Sequence, residues 1–354
     1  MIVAADLYRV QLPLVAPFRT AQSTTARKEA LLVRVEDADG AFGWGECVAQ
    51  VDRSYLPFNI DDCWNALRAE LVPATLAGAS ASEPPVAFAA LESALLDCEL
   101  RTRNQSLASH LGATDEYVTA GVAVGRIDHV EEFTRTIEGL VAAGYGRIKC
   151  KIQPGRDLGP LRAVRRAAPR IELAADANGS YAPGPAQKLL DAVEELSLQC
   201  VEQPCADAVA FDARTRVCLD ESIASNDDIE VAVEKRACDA VSIKPGRLGG
   251  IASTLDALRT CRRLGLDALP GGMLETGFGR AALLAVAARP EFTMTGDISA
   301  SERYFGPDGD LTEPFVLENG RIRVPSGPGI GVEPIPERLA ACTVAHDRIT
   351  KKDV

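Results

Sequence analysis

The chain has 354 residues, of which 47% are hydrophobic and only 5% aromatic, and it carries a formal net charge of −12. That length suits about two domains with a large core, and the acidic balance excludes nonspecific binding to nucleic acid or to anionic membranes. No charged-then-apolar leader opens it, no apolar run reaches the ~18 residues of a membrane span, and ten scattered cysteines form no C-x-x-C pair, so we expect a cytoplasmic protein with buried free thiols.

In chain order, Ile2 to Pro13, Glu29 to Glu36 and Gly40 to Ala49 alternate as a small antiparallel meander, with Asp37-Ala38-Asp39-Gly40 as its hairpin turn. Asn59 to Leu76 and Pro84 to Leu111 carry helical periodicity, and Ser82-Glu83-Pro84-Pro85 offers a cap and an N-terminal proline to the second helix. Residues 1–115 thus read as an α+β unit.

From Thr119 the pattern changes to short apolar strands alternating with amphipathic helices. The strands are expected at Thr119–Val124, Arg147–Ile152, Glu172–Ala175, Gln199–Glu202, Arg216–Leu219, Ala240–Ile243, Asp267–Leu269 and Thr293–Thr295. Eight βα units at this spacing favour a closed (β/α)8 barrel over 116–306 rather than an open doubly wound sheet, and no glycine-rich nucleotide loop follows the early strands. The remaining segment, 307–354, loses the alternation. Phe315 to Val324 predicts a hairpin returning to the N-terminal unit, and the charged residues Ile349 to Val354 are expected to fray.

The chemistry starts at Lys149-Cys150-Lys151. Successive strand residues alternate faces, so both ammonium groups point one way while Cys150 packs on the other. Two buried like charges repel, and such a pair persists when an anion sits beside it or when one amine is kept neutral as a base. Downstream, Asp176, Glu202 and Asp220 each close a strand. Any one alone reads as a helix N-cap, but three on consecutive strands at the C-terminal rim would repel unless a cation neutralised them. Oxygen-only ligation, with His110, His129 and His346 isolated, points to a hard divalent ion, Mg²⁺ before Mn²⁺. Lys244 follows the sixth strand, so lysines on strands two and six would flank a cation on strands three to five. Such a site suits removal of a proton α to a carboxylate, with the metal holding the resulting enediolate and a base kept partly neutral by burial and neighbouring cations.

The lysine pair, Asp176-Ala177-Asn178, Glu202-Gln203-Pro204, Leu219-Asp220-Glu221-Ser222 and Lys244-Pro245-Gly246 together resemble the enolase superfamily in its muconate-cycloisomerase-like subgroup. The resemblance spans nearly the whole chain, including the Ala90 to Asp97 helix. Gly271 to Gly277 and Gly296 to Phe305 narrow it to the o-succinylbenzoate synthase/N-acylamino acid racemase family. It implies an enolase-type modified barrel under an α+β capping domain, in a homo-oligomer. It further implies a small carboxylate substrate, Lys151 as the base, Lys149 as a holder of the carboxylate and Lys244 on the opposite face. The implied reaction is Mg²⁺-dependent dehydration of 2-succinyl-6-hydroxy-2,4-cyclohexadiene-1-carboxylate in menaquinone biosynthesis. The alternative is N-succinyl- or N-acylamino acid racemisation, which an arginine at Arg247 accompanies in similar enzymes. A dipeptide epimerase lacks its Asp-x-Asp here, and an inert scaffold is disfavoured by the complete set of lysines and acids.

The resemblance also assigns a gating role to the long surface loop at Pro17 to Lys28. Asn178, two residues beyond a metal ligand, is expected to hydrogen-bond the substrate, and Gly272 and Met273, at the seventh strand's rim, are expected to shape the acyl pocket. Glu46 is expected to be structural within the capping unit. Two departures stand out. Glu202 and Asp220 are 18 residues apart against 26 for Asp176 and Glu202, which predicts a helix truncated by about seven residues, with Glu221 as substitute ligand should Asp220 be displaced. Ala123 stands where relatives often carry a hydroxyl, which would alter side-chain selection more than chemistry.

Overall fold

The computed structural model describes residues 1–20 and 23–353. The meander consists of β1 (Ile2–Arg19), β2 (Thr24–Asp37) and β3 (Phe42–Cys47), in antiparallel order. It runs further than the alternation predicts. The expected loop at Pro17 to Lys28 is largely paired strand, with Phe18 opposite Thr25 and Arg19 opposite Thr24, as suits β-branched threonines. Positions 21 and 22 of that segment lie outside the described residues.

Both faces of this sheet are covered. Leu31, Val33 and Val35 pack on one side with Leu67, Leu71 and Leu91 from the helical region of residues 60–102. Ala30 and Leu32 face the other way and pack with Ile251, Phe278 and Ala281, which belong to helices of the second half. Two glycines allow the first contact. A Cβ at Gly43 would meet the Ala94 carbonyl oxygen at 2.2 Å and one at Gly45 the Ala90 oxygen at 2.0 Å, so β3 lies directly on the backbone of the Pro85–Thr102 helix. That helix has Pro85 in its first turn, as expected, but no side-chain cap.

The expected strand Thr119–Val124 breaks at Ala120 into β4 (Tyr117–Thr119) and β5 (Gly121–Val124). Then β5, β6 (Arg147–Lys151), β7 (Glu172–Asp176), β8 (Val201–Glu202), β9 (Val217–Leu219), β10 (Ala240–Ile243) and β11 (Asp267–Pro270) pair in parallel, each with the next. The predicted eighth strand, Thr293–Thr295, is not a regular one. Thr293 and Met294 N–H groups both donate to the Ala268 carbonyl at 3.1 Å, Asp297 N–H donates to Pro270 O at 2.9 Å, and Gly121 N–H donates to Ile298 O at 3.1 Å. The segment therefore joins β11 to β5 without a ladder, and Pro270, which has no N–H, interrupts the pairing on its side.

Inside the ring, Ala174, Cys200, Cys218, Ala240, Leu269 and Met294 form a small-residue core. Outside it, Ile148, Cys150, Leu173, Val201 and Val241 pack toward the helices, so Cys150 has the packing role that strand alternation assigns to it. The truncated helix predicted after Glu202 is absent altogether. The crossing to β9 is a loop stitched by Gln203, whose amide nitrogen donates to Cys205 O at 2.8 Å and whose oxygen accepts from Asp220 N–H at 2.8 Å.

The tail corrects two expectations. β12 (Arg321–Arg323) pairs with β4 at the barrel rather than with the N-terminal sheet. Of the residues expected to fray, Ile349 and Thr350 form the end of β13 (Thr343–Thr350), an edge strand that pairs with β1 over Ala4 to Val10, while 351–353 are exposed beyond it and Val354 lies outside the described residues. Ile349 is buried and Lys351 N–H donates to Val3 O at 2.9 Å. The exposed charges there are what an edge strand carries against further pairing.

Candidate active site

The side chains singled out in the sequence gather at one rim because they sit at corresponding positions on neighbouring strands. Lys149 and Lys151 project from β6, opposite Ala174 and Asp176 of β7, and Asp176 is in turn opposite Glu202 at the end of β8. Asp220 directly follows β9 and Lys244 directly follows β10. Asp176, Glu202 and Asp220 are at most 1% exposed.

These groups form two linked clusters. Lys149 Nζ lies 2.7 Å from Glu202 Oε2 and 3.2 Å from Asp176 Oδ2, while Lys151 Nζ lies 2.6 Å from Asp176 Oδ2. Lys244 Nζ lies 2.7 Å from Asp220 Oδ2, and Arg247 closes on the other Asp220 oxygen. Burial alone would lower Lys149, but Asp297, Glu202 and Asp176 hold it well above its ordinary range. Lys244 is likewise raised against its burial, chiefly by Asp220. Lys149 and Lys244 are therefore held charged by the carboxylates around them. Burial raises Glu202 well above the carboxylate range, with Asp176 and Asp220 adding to it against Lys149. Asp220 is held well below that range, its burial outweighed by Lys244 and Arg247.

Three participants are absent from the sequence-level site. Asp297, in the barrel-closing segment, pairs with both Lys149 and Arg147, the latter at 2.5 Å. Arg147 is fully buried and also donates to the Gln199 amide oxygen at 2.6 Å. Tyr55, from the loop before the first helix, donates to Asp220 Oδ1 at 3.0 Å and accepts from Lys244 at 2.7 Å and from Arg247 at 2.5 Å. Strand alternation does mark Arg147 as a companion of the two lysines, two and four residues before them. Tyr55 and Asp297 carry no local signal.

Asp220 keeps its place at the rim, and Glu221 sits beside it, accepting from the Asn178 amide at 2.8 Å. Lys151, Lys244 and Gly272 line one cleft together with Phe18 and Tyr304, and Asn178 and Met273 line its continuation. Asp176, Glu202 and Asp220 do not line the cleft themselves but lie behind it, ion-paired to Lys149, Lys151 and Lys244.

The donor set fits a hard divalent cation in its chemistry. The acceptors are carboxylate oxygens on three adjacent strand ends, each already drawn against an ammonium group, and Glu221 Oε2 beside them is buried without a hydrogen-bond partner. Among the described residues no three acidic, histidine or cysteine side chains form a ready cage, because the lysines lie between them.

Comparison with known proteins agrees with this geometry. A family model described as "Enolase C-terminal domain-like" matches residues 132–338. The N-succinylamino acid racemase of an Amycolatopsis species is 41% identical, over 96% of this chain and 97% of its own. The o-succinylbenzoate synthase of Geobacillus kaustophilus is 38% identical over 92% of each. Among solved structures, an enolase-superfamily member from Listeria innocua superposes with a TM-score of 0.90 at 32% identity, covering 99% of both chains.

Proposed function

The chain belongs to the enolase superfamily, and we propose that within it the protein is an o-succinylbenzoate synthase, a lyase that dehydrates 2-succinyl-6-hydroxy-2,4-cyclohexadiene-1-carboxylate on the way to menaquinone. The observation that carries this reading is that Lys151 and Lys244, from β6 and from the end of β10, open onto one cleft with three buried carboxylates between their strands. Mg²⁺, with Mn²⁺ as a substitute, would be held by Asp176, Glu202 and Asp220 and would supply Lewis-acid stabilisation of negative charge on the substrate carboxylate.

The chain's own groups account for the proton chemistry. Lys149, held charged between Glu202, Asp176 and Asp297, is a fixed positive partner for the substrate carboxylate. Lys151 has only Asp176 as an ion-pair partner among the described residues and is the more exposed of the two. It removes the α-proton. Electrons from the broken C–H bond form the new double bond as the C–OH bond breaks, and the same proton returns from Lys151 to the leaving hydroxide as water. Lys244 places a second positive charge on the other side of the developing anion.

A second reading, N-succinylamino acid racemisation, is favoured by Arg247, which is buried against Asp220 and Tyr55 beside Lys244. There Lys244 would exchange a proton on the face opposite Lys151. The deciding experiment follows o-succinylbenzoate formation in the ultraviolet with the Mg²⁺-loaded protein. Turnover that EDTA and Lys151→Ala both abolish establishes the synthase. No turnover, with α-proton exchange of N-succinylamino acids in D₂O, establishes the racemase instead.

A further inference from the structure

Beside the catalytic cleft lies a second cavity of about 360 Å³ that the reaction chemistry does not use. The two are separated by an aromatic pair, Phe18 and Tyr304, packed edge to face with ring centroids 6.1 Å apart, and both rings line both spaces. The space at the lysines is only about 60 Å³, far below the ~300 Å³ at which small-molecule sites usually begin. The continuation of the cleft past Asn178 and Met273 adds only about 80 Å³, so the cavity of about 360 Å³ is the larger of the two adjoining spaces into which a substrate with its reacting carbon at Lys151 can extend.

The charge of that cavity is unusual for a protein of net charge −12. Its charged lining is Arg19, Arg126 and Arg303 against Asp128 and Glu132. Asp128 is already engaged, 3.5 Å from Arg19 and in contact with Arg156. Arg126 and Arg303 have no carboxylate partner among the described residues, and the Nε atom of each is buried without a hydrogen-bond partner. Arg126 reaches the Gln153 amide oxygen, and Arg303 Nη2 makes a 3.4 Å contact with the Ala123 carbonyl.

Both arginines are fixed in place. Arg303 lies over the Tyr304 ring, 5.5 Å from its centroid, and Ala123 itself lines the catalytic cleft. Arg126 N–H donates to Arg19 O at 3.0 Å, and a Cβ at Gly125 would meet the Arg19 backbone at 2.9 Å, so the end of β1 is pressed against the rim beside Phe18. Two incompletely satisfied guanidinium groups lining a cavity next to the carbon-acid cleft suit a planar anion.

We propose that Arg126 and Arg303 bind the second carboxylate of a dicarboxylate substrate, with its acyl chain passing the Phe18–Tyr304 pair. This rests on the proposed function, since the cyclohexadiene acid and the N-succinylamino acids each carry one carboxylate at the reacting carbon and another at the end of a succinyl chain. It assigns selection of the succinyl group to charge, at residues separate from the catalytic lysines.

The test compares o-succinylbenzoate with its analogue in which the succinyl carboxylate is a primary amide. Calorimetric binding to the Mg²⁺-loaded full chain is measured for wild type, Arg126→Gln, Arg303→Gln and the double variant, alongside turnover of N-succinyl and N-succinamoyl substrates. Wild type is expected to prefer the carboxylate by at least about tenfold, and the double variant to bring that ratio near unity. A ratio unchanged in the variants, or parallel losses for both compounds, overturns the assignment and leaves the arginines a structural role. Binding does not require turnover. A charge preference that the variants erase, in an enzyme that neither dehydrates nor racemises, would support this site while refuting the proposed function.

Discussion

Glu46 of β3 accepts hydrogen bonds from the Thr276 N–H at 3.0 Å and the Thr276 hydroxyl at 2.6 Å, 230 residues further along the chain, and from Gly279 N–H at 2.8 Å. It is a structural residue, as expected, but not within its own sheet. It caps the helix Gly277–Ala287, which follows the strand and loop carrying Gly272 and Met273. Glu92 does the same for the helix Ile251–Leu264, accepting from Ala252 N–H at 3.1 Å and also from Ile251 N–H. Two carboxylates of the N-terminal half thus set the start of two barrel helices.

Removal of this tie is expected to be costly. Glu46→Ala leaves three donors without their acceptor and removes a nearby countercharge from the buried Lys28 ammonium, and should lower unfolding stability by about 1–3 kcal/mol in urea titrations. Burial pushes the Glu46 carboxyl above its ordinary 4.5, against Lys28 and its hydrogen bonds. A folded carboxyl with a raised value contributes stability below the unfolded value that is lost as pH rises through the folded one. The deficit of Glu46→Gln relative to wild type should therefore be largest in acid and narrow toward neutral pH. A deficit that widens with pH would contradict this sign.

Asp297 supports Lys149 and Arg147 at once. Asp297→Asn would leave two buried cations short of their counter-charge. Breaking such a pair costs about 3–5 kcal/mol. Turnover should fall as well, because Lys149 would swing toward Glu202 and Asp176 alone. A variant of wild-type stability and activity would show that Arg147 and Lys149 are balanced by other groups.

The two rim lysines should separate by stereochemistry. Lys151→Ala is expected to lose on the order of 10²–10⁴-fold in dehydration. Lys244→Ala should retain more of that activity while abolishing racemisation, because inversion needs a base on each face. In D₂O this variant should exchange the α-proton of only one enantiomer of an N-succinylamino acid, read by proton NMR. Exchange of both enantiomers would assign the second base to another residue.

How much of this was legible follows from the range of the interactions. Lys149, Lys151, Asp176, Glu202, Asp220 and Lys244 are set by strand alternation and strand ends, which are local properties that a sequence displays. Tyr55 and Asp297 reach the same cleft only through tertiary packing, from a loop of the first hundred residues and from a segment lacking a regular ladder. The end of β13 reads as part of a frayed tail because the strand's burial is nearly confined to Ile349, and its strand character comes from pairing with β1, more than 300 residues away. The missing helix between β8 and β9 was visible as a short spacing. That Gln203 would hold Asp220 in place regardless was not.

Cation binding offers a check that does not depend on knowing the substrate. Asp176, Glu202 and Asp220 are buried on adjacent strands, with their charge met by ammonium groups from the same rim. A divalent ion that binds the folded chain and not the unfolded one raises stability by RT ln(1 + [L]/Kd). Mg²⁺ at a hundredfold excess over its dissociation constant would therefore add about 2.7 kcal/mol, equivalent to a rise of several degrees in Tm for a chain of this size. The rise should vanish with EDTA and be lost in Glu202→Gln and Asp176→Asn, whose own Tm values also report whether the lysines tolerate a neutral partner. Glu221→Gln should keep it, because Asp220 holds its place at the rim and Glu221 is not required as its substitute. If Mg²⁺ shifts neither wild type nor Glu221→Gln, the three carboxylates serve the lysines alone.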